Sequence, residues 1–198
     1  MSQGTDYVAK VAAYQQRESW ETEARRLIDH TPIRPLARVL DFGCGTGKFA
    51  RLLSPRCRVV VGYDVMPEML AEARKDCPRN VFFLDNIDTT HPYDAIFALH
   101  VLGHVPDPRL TLARLYDLLI PGGRLVILNP NKHHTRLRKP VDWLKGYRGD
   151  PTLHHHFAVS ELTELADIFG FEKIWHYHTG YRWLGTQSLF ALFLRKPK

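Results

Sequence analysis

Apolar side chains between residues 6 and 29 recur at spacings near three and four: Tyr7, Val11 and Tyr14, then Trp20, Ala24, Leu27 and Ile28. That is the period of a helix burying one face, and Pro32 and Pro35 close it. Short apolar runs then alternate with helical stretches. Arg38 to Phe42 is apolar enough for a strand buried on both faces. Lys48 to Leu53 places Phe49, Leu52 and Leu53 on one side of a helix. The pattern continues with a strand over 58–63, a helix from Pro67 to about residue 75, and strands over 80–84 and 93–99. A helix over 109–119, a Pro121-Gly122-Gly123 turn and a strand over 124–128 follow. Between 131 and 157 the periodicity breaks. Ser160 then reads as the cap of a helix with Glu161 in its first turn, ended by Gly170. Two strands, 171–177 and 188–195, are expected to pair antiparallel.

This alternation predicts an α/β three-layer fold. A chain of 198 residues is expected to form a single domain, 1–198, with its own core. Hydrophobic residues at 44% and charged residues at 24% exclude a disordered or fibrous chain. No run of about 18 apolar residues is present, so no membrane span is expected. The polar N-terminal stretch lacks a secretory pattern. Cys44, Cys57 and Cys77 are odd in number and show no C-x-x-C spacing, which argues for a reducing compartment over a disulfide framework or zinc knuckle. A cytoplasmic protein is the expectation. The net charge of +6 permits an anionic partner without requiring one.

Candidate chemistry is concentrated in Val39-Leu40-Asp41-Phe42-Gly43-Cys44-Gly45-Thr46-Gly47-Lys48. A buried strand runs into three alternate glycines, where the backbone turns tightly and a ligand can approach it, and then into a helix whose first N–H groups are unpaired. A dinucleotide fingerprint, G-x-G-x-x-G, needs glycine at 48, where this chain has Lys. Asp41, two residues before the first glycine, suits a cation better than a pyrophosphate. Asp64 ends the next strand about 20 residues past the turn, where an acid can accept both hydroxyls of a ribose.

The stretch resembles motif I of the class I S-adenosylmethionine (SAM)-dependent methyltransferases. The resemblance covers roughly residues 36–128 with specific motifs and the rest in outline. It implies a Rossmann-like seven-stranded sheet, mostly parallel with an antiparallel last strand. It places Asp41 near the methionyl amino group of SAM, Gly43, Gly45 and Gly47 along the sugar and methionine part, and Asp64 on the ribose. Val65 and Met66 would pack on the adenine, and Asp85, with Asn86 and Ile87, would meet its edge. Leu99 joins the cofactor residues at the end of the fourth strand. Residues 1–30 correspond to a lid helix, with Tyr7, Tyr14 and Trp20 as cofactor-facing candidates beside their plainer reading as core aromatics. Residues 131–157 correspond to a substrate-side insertion.

His100 and His104 follow the fourth strand, at the end of a parallel sheet where ligands bind. His104 is the first candidate for an acceptor-side base, with His100 beside it and Tyr14 as a lid partner, in the manner of some phosphobase methyltransferases. A loop histidine bonded to a backbone carbonyl is the plain alternative. The run after the fourth strand is Leu99-His100-Val101-Leu102, so the Asp/Asn-Pro-Pro-aromatic motif of exocyclic-amine methylases is absent. No Cys beyond position 77 can serve as a cytosine carbon-5 nucleophile, and no carboxylate near 98–100 serves a catechol-type metal. The insertion is basic through Lys132, His133, His134, Arg136, Arg138, Lys139 and Lys145, interleaved with Trp143 and Tyr147. His154, His155 and His156 are adjacent, and successive side chains of an extended segment point to opposite sides, so no metal site is expected there. The expected function is transfer of the SAM methyl group to the oxygen or nitrogen of a small molecule carrying an anionic group, leaving S-adenosylhomocysteine. A nucleic-acid methylase of ribose or base, and a SAM-binding protein without catalysis, stay open. So does the oligomeric state.

Overall fold

The computed structural model describes residues 3–144, 152–183 and 186–198, without the side chains of residues 3–5, 138 and 183. Lys145 and Tyr147 of the basic stretch lie outside the described residues, as does the side chain of Arg138. The elements in chain order are α1 (Gln3–Gln15), α2 (Glu18–Asp29), β1 (Arg38–Phe42), α3 (Lys48–Leu53), β2 (Val59–Tyr63), α4 (Pro67–Ala73), β3 (Val81–Leu84) and β4 (Tyr93–Leu99). Then come α5 (Pro108–Asp117), β5 (Leu119–Pro130), α6 (Lys132–Leu144), α7 (Val159–Ile168), β6 (Glu172–Trp183) and β7 (Thr186–Arg195). The seven strands lie in the order β3-β2-β1-β4-β5-β7-β6. β1 is parallel to β2 and β4, and β2 to β3. β7 is antiparallel to both β5 and β6. This is the α/β arrangement that the alternation predicts, and the Rossmann-like sheet with a reversed last strand that the resemblance implies.

Contacts divide the chain into two compact units, Met1–Phe97 with Leu118–Ile120, and Ala98–Asp117 with Pro121–Lys198. In the first, β1 and β2 bury nearly every side chain, with Val39, Leu40 and Val60 wholly inside. The single helix expected over 6–29 is two. Arg17 is extended (φ −66°, ψ 136°) and separates α1 from α2. Tyr14 and Trp20 are six positions apart, which turns the apolar stripe by about 240° on one helix, so a break lets both halves face inward.

In the second unit, β5 is longer than expected. Pro121-Gly122-Gly123 bends without leaving the strand: Gly122 takes φ +79°, its N–H donates to the Lys196 carbonyl at 2.9 Å, and the Lys196 N–H donates to Gly123 at 2.9 Å. The broken stretch after residue 131 contains a helix, α6, in spite of Pro140. Asn131 starts it, its Oδ1 accepting the His133 N–H at 3.1 Å and its carbonyl the Thr135 N–H at 3.0 Å. α7 begins at Val159, and its cap position is Ala158, not Ser160. The Glu161 carboxylate reaches back to the Ala158 N–H at 2.9 Å and performs the capping that Ser160 was expected to supply.

Candidate functional site

The glycine turn between β1 and α3 belongs to the first unit. Gly43, Gly45 and Gly47 all have positive φ, at 73°, 53° and 76°. The N–H groups of Gly43 and Cys44 both donate to the Tyr63 carbonyl, at 2.7 and 2.8 Å, which docks the turn on the end of β2. Asp64 fixes the turn from the other side. Its Oδ2 accepts the Gly45 N–H at 2.8 Å and its Oδ1 the Met66 N–H at 2.9 Å. Asp64 therefore organises two loops, and each carboxylate oxygen keeps further acceptor capacity.

Asp41 is buried, 2% exposed, and its Oδ2 has no hydrogen-bond partner among the described residues. Burial, then the charge of Asp64, push its carboxyl up to about 8 against an ordinary 3.8, and a backbone bond from Ala50 opposes them. A buried acceptor of this kind is costly until a donor meets it.

Gly47 carries a packing constraint beside the cofactor contact expected of it. A Cβ there would lie 2.5 Å from the Phe83 ring, and one on Gly62 would lie 2.5 Å from the same ring. The close approach at Gly47 is to Phe83. Val65, by contrast, is 73% exposed beside Asp64, and Met66 is half-buried. Asp85 and Asn86 are exposed, with the Asn86 amide 3.3 Å from Asp85 Oδ1, while Ile87 is buried.

α1 lies against the turn. A Cβ on Gly45 would touch Gln15 and Val11 at 3.4 Å. Thr46 Oγ1 donates to Gln15 Oε1, and Lys48 Nζ donates to the Gln15 carbonyl at 2.9 Å. Lys48 also pairs with Glu21 at 2.9 Å and sits over the Trp20 ring at 5.5 Å. Gln15, Thr46 and Lys48 were not among the expected site residues, and nothing in the periodicity marks Gln15. Trp20 is buried and serves the core. Tyr7 and Tyr14 are half-buried, and Arg17 stands over the Tyr14 ring at 5.4 Å. Burial pushes the Tyr14 phenol up, so it is a proton-bearing donor at neutral pH.

The second unit holds the two histidines. His100 ends β4 in a left-handed conformation, φ +60°, costly for a non-glycine residue and maintained by its surroundings. Its N–H donates to the Leu128 carbonyl at 2.7 Å, and Leu99 before it is half-buried. Burial, then His104, hold the His100 imidazole down to about 4, so it is neutral. His104 Nδ1 lies 3.1 Å from the Thr152 carbonyl and 3.0 Å from Thr152 Oγ1. A carbonyl only accepts, so Nδ1 carries the proton and Nε2 is the basic nitrogen.

The histidine run has a structural duty. The N–H groups of His154 and His155 both donate to the Gly103 carbonyl, at 2.8 and 3.0 Å, clasping 152–155 onto the His104 loop. A Cβ on Gly103 would lie 2.3 Å from Leu153. Of the basic residues, His134 is buried, 4% exposed, with Nδ1 3.2 Å from the Thr186 carbonyl. Lys132 pairs with Glu161, while His133, Arg136 and Lys139 are exposed. Burial and the charges of Lys139 and Lys132 hold the His156 imidazole down. No group of three or more candidate metal ligands exists among the described residues.

Asn129, at the end of β5, was not foreseen either. It is 1% exposed, and neither its Nδ2 nor its Oδ1 has a partner among the described residues.

A family model described as a methyltransferase domain matches residues 12–176. The chain belongs to this methyltransferase family. It takes its place among the class I enzymes, whose cofactor is S-adenosylmethionine. A trans-aconitate 2-methyltransferase of Variovorax paradoxus (strain S110) is 39% identical over 127 residues, covering 61% of this chain and 49% of that one. The chain spans about half the length of the curated relatives it matches. Among solved structures, the methyltransferase in a complex with the Haloferax volcanii Trm112 activator has a TM-score of 0.79 at 16% identity, covering 100% of this chain and 99% of that one. The N-methyltransferase NodS from Bradyrhizobium japonicum, in complex with S-adenosyl-L-homocysteine, has a TM-score of 0.71 at 17% identity, covering 92% and 90%. At these identities both show the fold.

The residues of the first unit fit SAM. The unmet oxygen of Asp41 offers a buried acceptor to a cationic amino group, and Asp64 has acceptor capacity left for hydroxyls. Val65 offers exposed apolar surface next to it.

Proposed function

We propose that this methyltransferase domain moves the methyl group of SAM to an oxygen of a small, anionic organic acceptor. The observation that carries the reading is the buried, unmet carboxylate oxygen of Asp41 beside the glycine turn, which a methionyl ammonium would satisfy. SAM, when bound, supplies a methyl group made electrophilic by its sulfonium. Asp41 would hold the amino group, Asp64 the ribose hydroxyls, Val65 and Met66 the adenine face, and Asp85, Asn86 and Ile87 its edge. Gly43 and Gly45 would let the backbone approach the ligand.

The 39% identical relative is a trans-aconitate methyltransferase, and trans-aconitate is a polycarboxylate; this supports an anionic acceptor. A carboxylate oxygen arrives already ionised and needs no base. A hydroxyl acceptor would give its proton to Nε2 of His104, the nitrogen left basic by the Thr152 contact. Neutral His100, in the same unit, would then act as a hydrogen-bonding partner. Lys132 and Lys139, whose charges both bear on His156, would favour an anion.

The test is incubation with SAM and a panel of small carboxylic and hydroxy acids, with trans-aconitate included, read as S-adenosylhomocysteine and methylated product by mass spectrometry. SAM binding without product across the panel would favour a binding protein. Absence of SAM binding would refute the reading.

A further inference from the structure

We propose that Asn129 is a specificity-determining residue that reads the acceptor through both ends of its side-chain amide. The proposal rests on the methyltransferase reading and adds to it the class of acceptor. Asn129 sits at the carboxyl end of β5, the end at which open α/β sheets bind ligands. It is 1% exposed, yet its donor and its acceptor are both without partners among the described residues. Buried polar atoms are nearly always bonded, and those that are not require an explanation.

The immediate neighbours offer the amide little to bond. Asn129 is paired in register with Phe190 of β7, whose side chain is fully buried and has no polar atom to offer. The next residue is Pro130, which has no N–H. On the β4 side, the His100 N–H is already given to the Leu128 carbonyl. That bond sets His100 and Asn129 side by side at the ends of β4 and β5. The neighbourhood therefore combines a strained, neutral histidine with an amide whose two polar atoms have no partner among the described residues.

An amide offers one planar edge that donates and accepts at once. Its complement is a planar group that accepts and donates at once: a hydroxyl beside a carbonyl or carboxylate oxygen, or a primary amide. A simple carboxylate satisfies Nδ2 and leaves Oδ1 bare. Asn129 thus favours hydroxy acids over the corresponding acids without the hydroxyl. A site built to bond such a group discriminates strongly against an analogue lacking it, because its own buried atoms are then left unpaired.

The experiment compares the wild-type protein with Asn129→Leu, which keeps the branched shape and removes the amide. The probes are matched pairs, malate with succinate and salicylate with benzoate. Three quantities are read: SAM affinity by calorimetry, kcat/KM for each probe from S-adenosylhomocysteine release, and melting temperature without ligand. The wild type should prefer the hydroxy member by about 10- to 100-fold. Asn129→Leu should bring that ratio to within a few-fold, leave SAM affinity unchanged and raise the melting temperature, since a bare polar pair leaves the core. An unchanged ratio in Asn129→Leu overturns the proposal. If no probe is methylated, the melting temperature decides: a fall shows that the amide serves the fold and overturns it, and a rise supports it. Loss of SAM binding in the wild type is a separate result, counting against the methyltransferase reading and not against Asn129.

Discussion

Asp64 adds its negative charge to the burial that keeps Asp41 protonated, and so sets the state in which the first unit meets a ligand. With the Asp41 carboxyl up at about 8, a bound cation restores its ionised form. SAM binding at pH 7 should therefore release close to one proton, and affinity should rise with pH from 6 to 8 and then level. Calorimetry in buffers of differing ionisation enthalpy measures the release. Asp41→Asn should abolish it and weaken binding; a release that survives the substitution would show that the proton comes from elsewhere.

The same carboxyl makes a prediction about stability. Folded, Asp41 keeps its proton to about pH 8; unfolded, it loses it near 3.8. Between those values the folded state binds more protons, so its stability falls as pH rises, by up to about 1.4 kcal/mol per unit. Asp41→Asn should flatten this slope and stabilise the ligand-free protein most at pH 8 and above. Urea titrations at pH 5, 7 and 9 test it. Parallel curves for the two proteins would contradict it.

Asp64→Ala should strand the N–H groups of Gly45 and Met66 and remove the proposed ribose acceptor together. The expected losses are about 1.5–3 kcal/mol for each charged hydrogen bond as an upper scale. SAM affinity equal to wild type would remove Asp64 from the cofactor site and leave it as a loop tie.

Gly47 and Gly62 face the same ring and should fail differently. Gly62→Ala suffers only the approach of Phe83 at 2.5 Å and of Cys44 Sγ at 3.1 Å. Gly47→Ala adds backbone strain at φ +76°. Overpacking of this kind costs typically about 1–3 kcal/mol. Phe83→Leu should rescue Gly62→Ala in a thermal melt far better than Gly47→Ala. Equal rescue would show that the backbone at residue 47 accepts a side chain.

His104→Ala should lower turnover on a hydroxyl acceptor and leave SAM affinity intact. Gly103→Ala should do so partially, because its Cβ would drive Leu153 and the Thr152 contact off the histidine. Leu153→Ala added to Gly103→Ala should restore part of kcat. Normal turnover in His104→Ala would assign the histidine to loop structure.

The strands were legible in the sequence wherever an apolar run met polar flanks, as in Tyr93–Leu99, whose bounds match the observed β4. Asp41 and Asp64 stand out because their register with the glycine turn is local. α6 was hidden by a basic run and by Pro140, although Asn131 carried a cap signal. The break at Arg17 could have been found in the six-residue step between Tyr14 and Trp20. Asn129 could not: an asparagine near a proline looks like a turn until burial on both sides is known. The packing of Gly47 was hidden for a related reason, since its neighbour Phe83 lies on another strand.

The strap from Gln15 to Thr46 and Lys48 gives the glycine turn a private route to opening. Its bonds span 31 and 33 residues of chain and bypass the sheet ladders entirely. Detachment of one helix end is a smaller event than loss of the sheet, and local openings of that kind govern amide exchange. Deuterium uptake at Thr46 and Lys48 should then follow the fraying of α1, on a faster clock than uptake at Val39 or Val60.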